Sequence, residues 1–362
     1  MTHHRVPPAS GETARPGHVG DPLPAATHTA TGLSKRRGRP PHGMLAYGIF
    51  GKTLITDIPF PELGEADPAQ AAWIIRTRSG RPPSPPWEPL AHDEVDTGVQ
   101  VRLWGGRDDL FLTYDDTGTF AVSPDGCDIR WWPGTGASAE SVRLDVVGRV
   151  LPLALQRQGF LSLHGSAVSL AGRAVAFIAP KHHGKSTLAQ ALVAAGGRLI
   201  TDDVLPIDHH HPVQALPGTP RVRLRADSAR IMGAGTDGDE TMGKVSVEAP
   251  ATRVETGALP LAAIYLLNPV EPDRAGPAAT RAPVSQVQGA LSLVRHAKLG
   301  PLLAGHAATD VLRQAVSIVG RVPVYRLDVV RDFGRLAGVV DLLLDWHSAG
   351  PGAPALGAPA GR

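Results

Sequence analysis

The residues with the clearest chemical capacity stand in a row, Ala179-Pro180-Lys181-His182-His183-Gly184-Lys185-Ser186-Thr187. They match G-x-x-x-x-G-K-[ST] at every defined position except the first, where alanine replaces glycine. In this pattern backbone N–H groups cradle phosphates, the lysine reaches the terminal phosphates, and the hydroxyl after it holds Mg²⁺. Alanine is tolerated at the first position wherever the backbone needs no positive φ. His182 and His183 are bulkier than the small residues usual inside such a loop. Seventeen positions past Lys185 comes the pair Asp202-Asp203. Carboxylates at a strand end facing a phosphate loop supply the magnesium and proton-transfer chemistry of phosphoryl transfer. Neighbours in a strand point to opposite faces, so the two would divide the work. One would bind Mg²⁺, directly or through water, and the other would accept a proton from an incoming hydroxyl.

Positioning these groups takes a strand, a turn and a helix. Arg173 to Ile178 (RAVAFI) reads as a strand buried on both faces. STLAQALVAA after the loop reads as a helix with Leu188, Ala191, Leu192 and Ala195 on one face and Gly196-Gly197 as its stop. Its N-terminus would aim partial positive charge at bound phosphate. RLITDD then reads as an apolar strand ending in the aspartates, followed by the β-like VLPID. Upstream, LSLHGSAVSL and RAVAFI meet at Ala171-Gly172, which predicts a hairpin. If Leu170 pairs with Arg173, His164 falls opposite Ala179, beside the loop.

Three further patterns carry weaker signals. Arg221, Arg223 and Arg225 alternate on one strand face, as either an anion clamp or, the preferred reading, a solvated edge strand. Lys244 follows Gly243 in a polar loop and is a candidate lid cation. His209, His210 and His211 are adjacent before a proline, and adjacent strand residues do not face one ion, so no metal is expected there.

Around this centre the chain has 362 residues, 42% hydrophobic, with 41 Gly, 34 Pro and a formal charge of +2. Residues 1–42 carry six Lys or Arg against Glu12 and Asp21, and Arg362 adds one more positive charge. Taking those five net charges from +2 leaves a body of −3, which argues against nucleic acid as a partner. The lone Cys127 fits a reducing compartment. No apolar leader or run of about 20 apolar residues predicts a membrane contact, so a cytoplasmic location is expected. Residues 1–42 and 349–362 read as disordered tails. Residues 43–137, with short β-like runs (LAYGIF, KTLIT, VQVRLW, LFLTY, TFAVS, CDIRWW) and five of the six tryptophans, among them Trp87, read as a small, mainly β domain. Residues 138–348 read as an α/β domain that carries the phosphate-loop pattern and opens with a helix near 138–159, kinked or broken at Pro152.

LHGSAV around His164, the Gly184-Lys185-Ser186-Thr187 turn and LITDD only one helix later together resemble the HPr kinase/phosphorylase-related serine kinases. The resemblance continues through PGTPRVRL, GKVSV with Lys244, LAAIYLLNP and VPVYRLDVVRD, and back to AYGIFGKTLITDIPFPEL, most of 44–346. It implies a P-loop fold of the phosphoenolpyruvate carboxykinase type, ATP or another nucleoside triphosphate, and Mg²⁺. It further implies transfer to a serine of a peptide or small protein, as in kinases of modified-peptide pathways. By the same resemblance Lys185 binds the β/γ phosphates, Ser186 and Asp203 hold the metal, and Asp202 is the base. His164 contacts phosphate or acceptor, or is structural. A regulatory nucleotide-binding scaffold and an ATPase or GTPase switch are the alternatives, and homo-oligomerisation stays open.

Overall fold

The computed structural model describes residues 43–348 except 84–87, 96–97, 234–239, 242–243, 272–275 and 304–305. The two tails, Trp87, Gly243 and the Lys244 side chain therefore lie outside the described residues. Among the described residues, no helix is long and apolar enough to cross a membrane.

The molecule is mixed α/β and built on large sheets. Strands β1 (Leu45–Ile49), β2 (Lys52–Thr56), β3 (Ala71–Thr77), β4 (Ala91–Glu94), β5 (Gln100–Gly105), β6 (Leu110–Tyr114), β7 (Gly118–Val122) and β8 (Asp128–Pro133) form one eight-stranded sheet. Its order is β1-β2-β3-β8-β7-β6-β5-β4, antiparallel except for the β2–β3 and β3–β8 pairs. The expected runs correspond to β1, β2 and β5 to β8. Strand β3 (AAWIIRT) and the polar β4 (AHDE) were not expected: their burial alternates, but their residue types do not.

The next segment is helical without a break. Helix α1 (Ala139–Asp145), capped by the Ser138 hydroxyl, runs through a π-helical turn at Val146–Val150 into α2 (Leu151–Arg157). Pro152 neither ends nor breaks it, because proline is tolerated in a first helical turn and the wider π register upstream has already changed the bonding. Val142, Val146, Val150, Leu151 and Leu153 to Leu155 bury into one core with the first sheet, shared by Val204, Leu216, Leu299 and Leu302.

The second large sheet contains β9 (Leu161–Leu170), β10 (Arg173–Ile178), β11 (Arg198–Thr201), β12 (Val204–Asp208), β13 (Gln214–Ala215), β17 (Leu259–Val270), β18 (Ala279–Pro283) and β19 (Val324–Val330). A small sheet of β14 (Arg221–Arg225), β15 (Glu240–Thr241) and β16 (Lys244–Glu248) lies beside it. The β9–β10 hairpin pairs Leu170 with Arg173, as the sequence predicts, and continues to Gly165 with Ile178. There β9 changes partners, and His164 pairs with Val204 of β12. Strand β9 also pairs antiparallel with β11. Hence β10 and β11 run parallel with β9 between them, joined by α3 (Lys185–Ala194). Strands β17 and β19 run parallel to β10, with α5 (Gln286–Arg295) and α6 (His306–Val319) in the connection between them. Short α4 (Ala226–Ile231) follows β14, and α7 (Leu336–Ser348) packs its Val339, Val340 and Leu343 into the core around β10 and α3. Ligands of open parallel sheets sit beyond the carboxyl ends of the strands, and the loop after β10 and the aspartates after β11 are at that end.

Candidate active site

Helix α3 buries Lys185, Leu188, Ala189, Leu192 and Val193, the i, i+3, i+4, i+7 and i+8 stripe. Ala195 is exposed, so the expected stripe is rotated by one position. Gly196, at φ +115°, ends the helix, and the Gly197 N–H donates to the Leu192 carbonyl. Before it, Gly184 sits at φ +87° and His182 at φ +67°, both left-handed. A Cβ at Gly184 would meet nothing within 4 Å, so glycine serves the backbone there rather than the space. His182 tolerates the same region with its side chain exposed, and the His183 Nδ1 lies 2.9 Å from the Lys181 carbonyl oxygen. The Lys185 ammonium is buried beneath the loop and donates to the carbonyls of Ala179 (2.8 Å) and Pro180 (3.0 Å). The loop therefore closes around a positive charge.

The two aspartates have different surroundings. Asp202 is buried, and its Oδ1 accepts from the hydroxyls of Ser186 (3.0 Å) and Ser166 (2.5 Å). Its Oδ2 accepts the backbone N–H of Arg223. Both aspartates lie past the end of β11 at Thr201, and Asp203 takes a left-handed backbone at φ +73°. His164 Nδ1 lies 3.0 Å from one of its oxygens and Lys298 Nζ 2.8 Å from the other. The strand rule would send the pair to opposite faces. Because the chain turns at Asp203, both instead line one cavity. The carboxylate beside Ser186 is Asp202, not Asp203.

These contacts set the protonation states. Burial works to raise the Asp203 carboxyl, but the Lys298 ammonium and the His164 hydrogen bond hold it well below the ordinary range. Burial lowers His164 despite Asp203, with Lys298 and Lys185 adding to the effect, so its ring is neutral near pH 7. His296, whose carbonyl accepts the His164 N–H, is pushed down to about 4 by burial and then by Lys185.

A cavity of about 490 Å³ opens over the loop. His182 to Leu188, Asp202, Asp203, Arg223, Arg225 and the ends of β17 and β19 line it. A second, larger cleft of about 1040 Å³ adjoins it, and His164, Lys181, Asp202, Asp203 and Arg223 line both. The aspartates thus stand at the junction of two spaces.

Arg221, Arg223 and Arg225 share a face of β14, which is an edge strand of its small sheet as expected, with Arg225 exposed; its other face, however, is not solvated. Val222 and Leu224 pack into the core with Leu188 and Leu192, and the arginines line the two spaces. Past β12 the chain bends, and ligand atoms of Asp208, His209 and His210 come within 4.8 Å of one another, a convergence that strand alternation did not allow for. Sequence reasoning missed Ser166 and Lys298. The signal for Ser166 was its place two residues after His164, on the same strand face; Lys298 follows α5 in an unpatterned turn.

No protein-family model and no curated protein matches this sequence. Among solved structures, the Hpr(Ser) kinase/phosphatase from Coxiella burnetii is similar over 51% of this chain and 95% of that one, at 13% identity and a TM-score of 0.28. A superposition that loose assigns nothing to individual residues.

Proposed function

We propose that this protein transfers the terminal phosphoryl group of ATP, with Mg²⁺, to a serine hydroxyl of a peptide or small protein. One observation carries the reading: the turn after β11 puts Asp202 against the Ser186 hydroxyl and Asp203 against His164 and Lys298, where two spaces meet. The donor set fits the ion, since a hydroxyl and a carboxylate are the oxygen ligands Mg²⁺ takes. The loop fits a polyphosphate, with left-handed turns at His182 and Gly184 and a buried ammonium beneath it. Ser186 and Asp202 would hold the ion, which when bound neutralises charge on the phosphates.

The roles of the aspartates are then the reverse of those the resemblance implies. Lys185 exchanges its carbonyl partners for the terminal phosphates. Asp203 orients the serine hydroxyl entering from the larger cleft, and His164 and Lys298 fix its carboxylate. The serine oxygen bonds to the terminal phosphorus, the bridging P–O bond breaks with its electron pair staying on the diphosphate, and the hydroxyl proton passes to Asp203. A carboxylate held this acidic is a weak base, which suits a loose transition state that asks for orientation more than proton abstraction.

The test is incubation of the full chain with [γ-³²P]ATP, Mg²⁺ and a serine peptide library. Asp203→Asn is expected to keep nucleotide affinity and lose transfer, and Asp202→Asn to lose the Mg²⁺ dependence of nucleotide binding. Absence of ATP binding would overturn the reading. Phosphate release equal with and without peptide would point to the nucleotide switch instead.

A further inference from the structure

The larger cleft has two walls of opposite sign. Beside the phosphate loop stand Lys181, Arg221, Arg223, Arg295 and Lys298, which outnumber Asp202, Asp203 and Glu248 among them. The part of the lining that comes from α1, the turn after it and the first sheet with its loops carries Glu62, Asp93, Glu94, Asp116, Glu140 and Asp145, against only Arg143 and Arg149 among its described residues. Those two guanidiniums are engaged, Arg143 with Glu62 (3.4 Å) and Arg149 with Asp93 (3.0 Å). Even with Asp145 left out, because burial pushes its carboxyl up to about 7, five carboxylates against two guanidiniums leave this wall net negative, although the chain's formal charge is +2. Phosphates entering from the other cavity account for the basic wall, while nothing in phosphoryl transfer calls for the acidic one.

We infer that the acidic wall is the acceptor-recognition surface, and that the acceptor is a separate cationic peptide whose serine is flanked by Lys or Arg. This rests on the phosphotransfer reading and narrows its substrate class. The geometry favours it because Asp202, Asp203 and His164 line both spaces. A peptide lying along the cleft with its basic side chains on the acidic wall would present its hydroxyl to Asp203. The same polarity repels an acidic peptide, giving discrimination as well as attraction. Glu94 and Glu140 are exposed at the rim, so they can be reversed without disturbing a core.

Binding is measured by fluorescence anisotropy with two labelled peptides, each with one central serine, flanked by arginines in one and by glutamates in the other. The full chain is expected to bind the arginine peptide more tightly, in a salt-sensitive way. The Glu94→Lys/Glu140→Lys variant, with its fold checked by circular dichroism, should bind that peptide about tenfold more weakly at low salt. Equal binding of the two peptides, or an unaltered affinity in the charge-reversed variant, would overturn the inference. Tight arginine-peptide binding without phosphate transfer would leave the recognition surface standing and remove the kinase reading. Transfer to serine peptides with no preference for basic flanks would do the reverse.

Discussion

Lys298 and Asp203 lie far apart in sequence, and their pairing can be weighed directly. Their N···O separation of 2.8 Å corresponds to about 6 kcal/mol of gross attraction at an effective dielectric of about 20. Desolvation offsets much of that. Removing one partner of a fully buried pair costs about 3–5 kcal/mol, whereas exposed pairs contribute about 0–1 kcal/mol. With Lys298 13% exposed and Asp203 35% exposed, the pair falls between these limits, so a coupling near 2 kcal/mol is expected. The perturbation is a double-mutant cycle of Lys298→Met and Asp203→Asn, followed by urea unfolding at pH 7. Asparagine suits the left-handed backbone at Asp203, which keeps strain out of the cycle. Because the folded Asp203 carboxyl is held below its ordinary range, its stabilisation is full above about pH 4 and fades as pH falls through the depressed value. The Lys298→Met penalty should shrink in the same window. A coupling under about 0.5 kcal/mol, or a penalty equal at pH 7 and pH 3, would refute the pairing as drawn.

Other expectations follow from single contacts. Lys185→Met should leave the circular dichroism spectrum intact and abolish phosphotransfer, and turnover at the parent rate would contradict the loop's role. Asp145 is pushed up to about 7, first by burial and then by Asp116, against the Thr117 hydrogen bond and Arg149. A raised acid contributes stability that is present below about pH 4 and lost as pH rises through about 7. Asp145→Asn should therefore flatten that slope and be more stable to urea than the parent at pH 8, by at most about 4 kcal/mol; parallel pH profiles for the two proteins would count against it. At Gly218 a Cβ would fall 2.0 Å from the Thr201 hydroxyl oxygen, one residue before Asp202. Gly218→Ala is accordingly expected to cost about 1–3 kcal/mol in unfolding measurements.

The phosphate-loop pattern and the hairpin arithmetic were legible because each depends on local rules: a fixed spacing in one case, a two-residue turn in the other. Placing His164 near the loop needed only the sum of paired positions. The different surroundings of Asp202 and Asp203 were not legible, since β11 ends at Thr201 and the left-handed backbone at Asp203 re-aims its side chain. Lys298 was hidden for another reason. It reaches Asp203 only because β9 changes partners at His164 and the turn after α5 lies alongside: the Lys298 N–H donates to Ser162 and the His164 N–H to His296. The continuous helix through Pro152 shows the same limit, because a π turn has no sequence signature strong enough to forecast. The polar β4 formed through its partner β5, as edge strands do when packing outweighs propensity.

Strand β9 carries both His164 and Ser166, and so grips both aspartates from one rigid rod paired on either side. In the language of amide hydrogen exchange, the β9 amides that hold these contacts are expected to open more rarely than those of an exposed turn. The turn at Lys181 to Gly184, exposed at three of its four residues, is expected to exchange faster. Opening of that turn alone would then leave the Ser166 and His164 contacts to the two carboxylates in place.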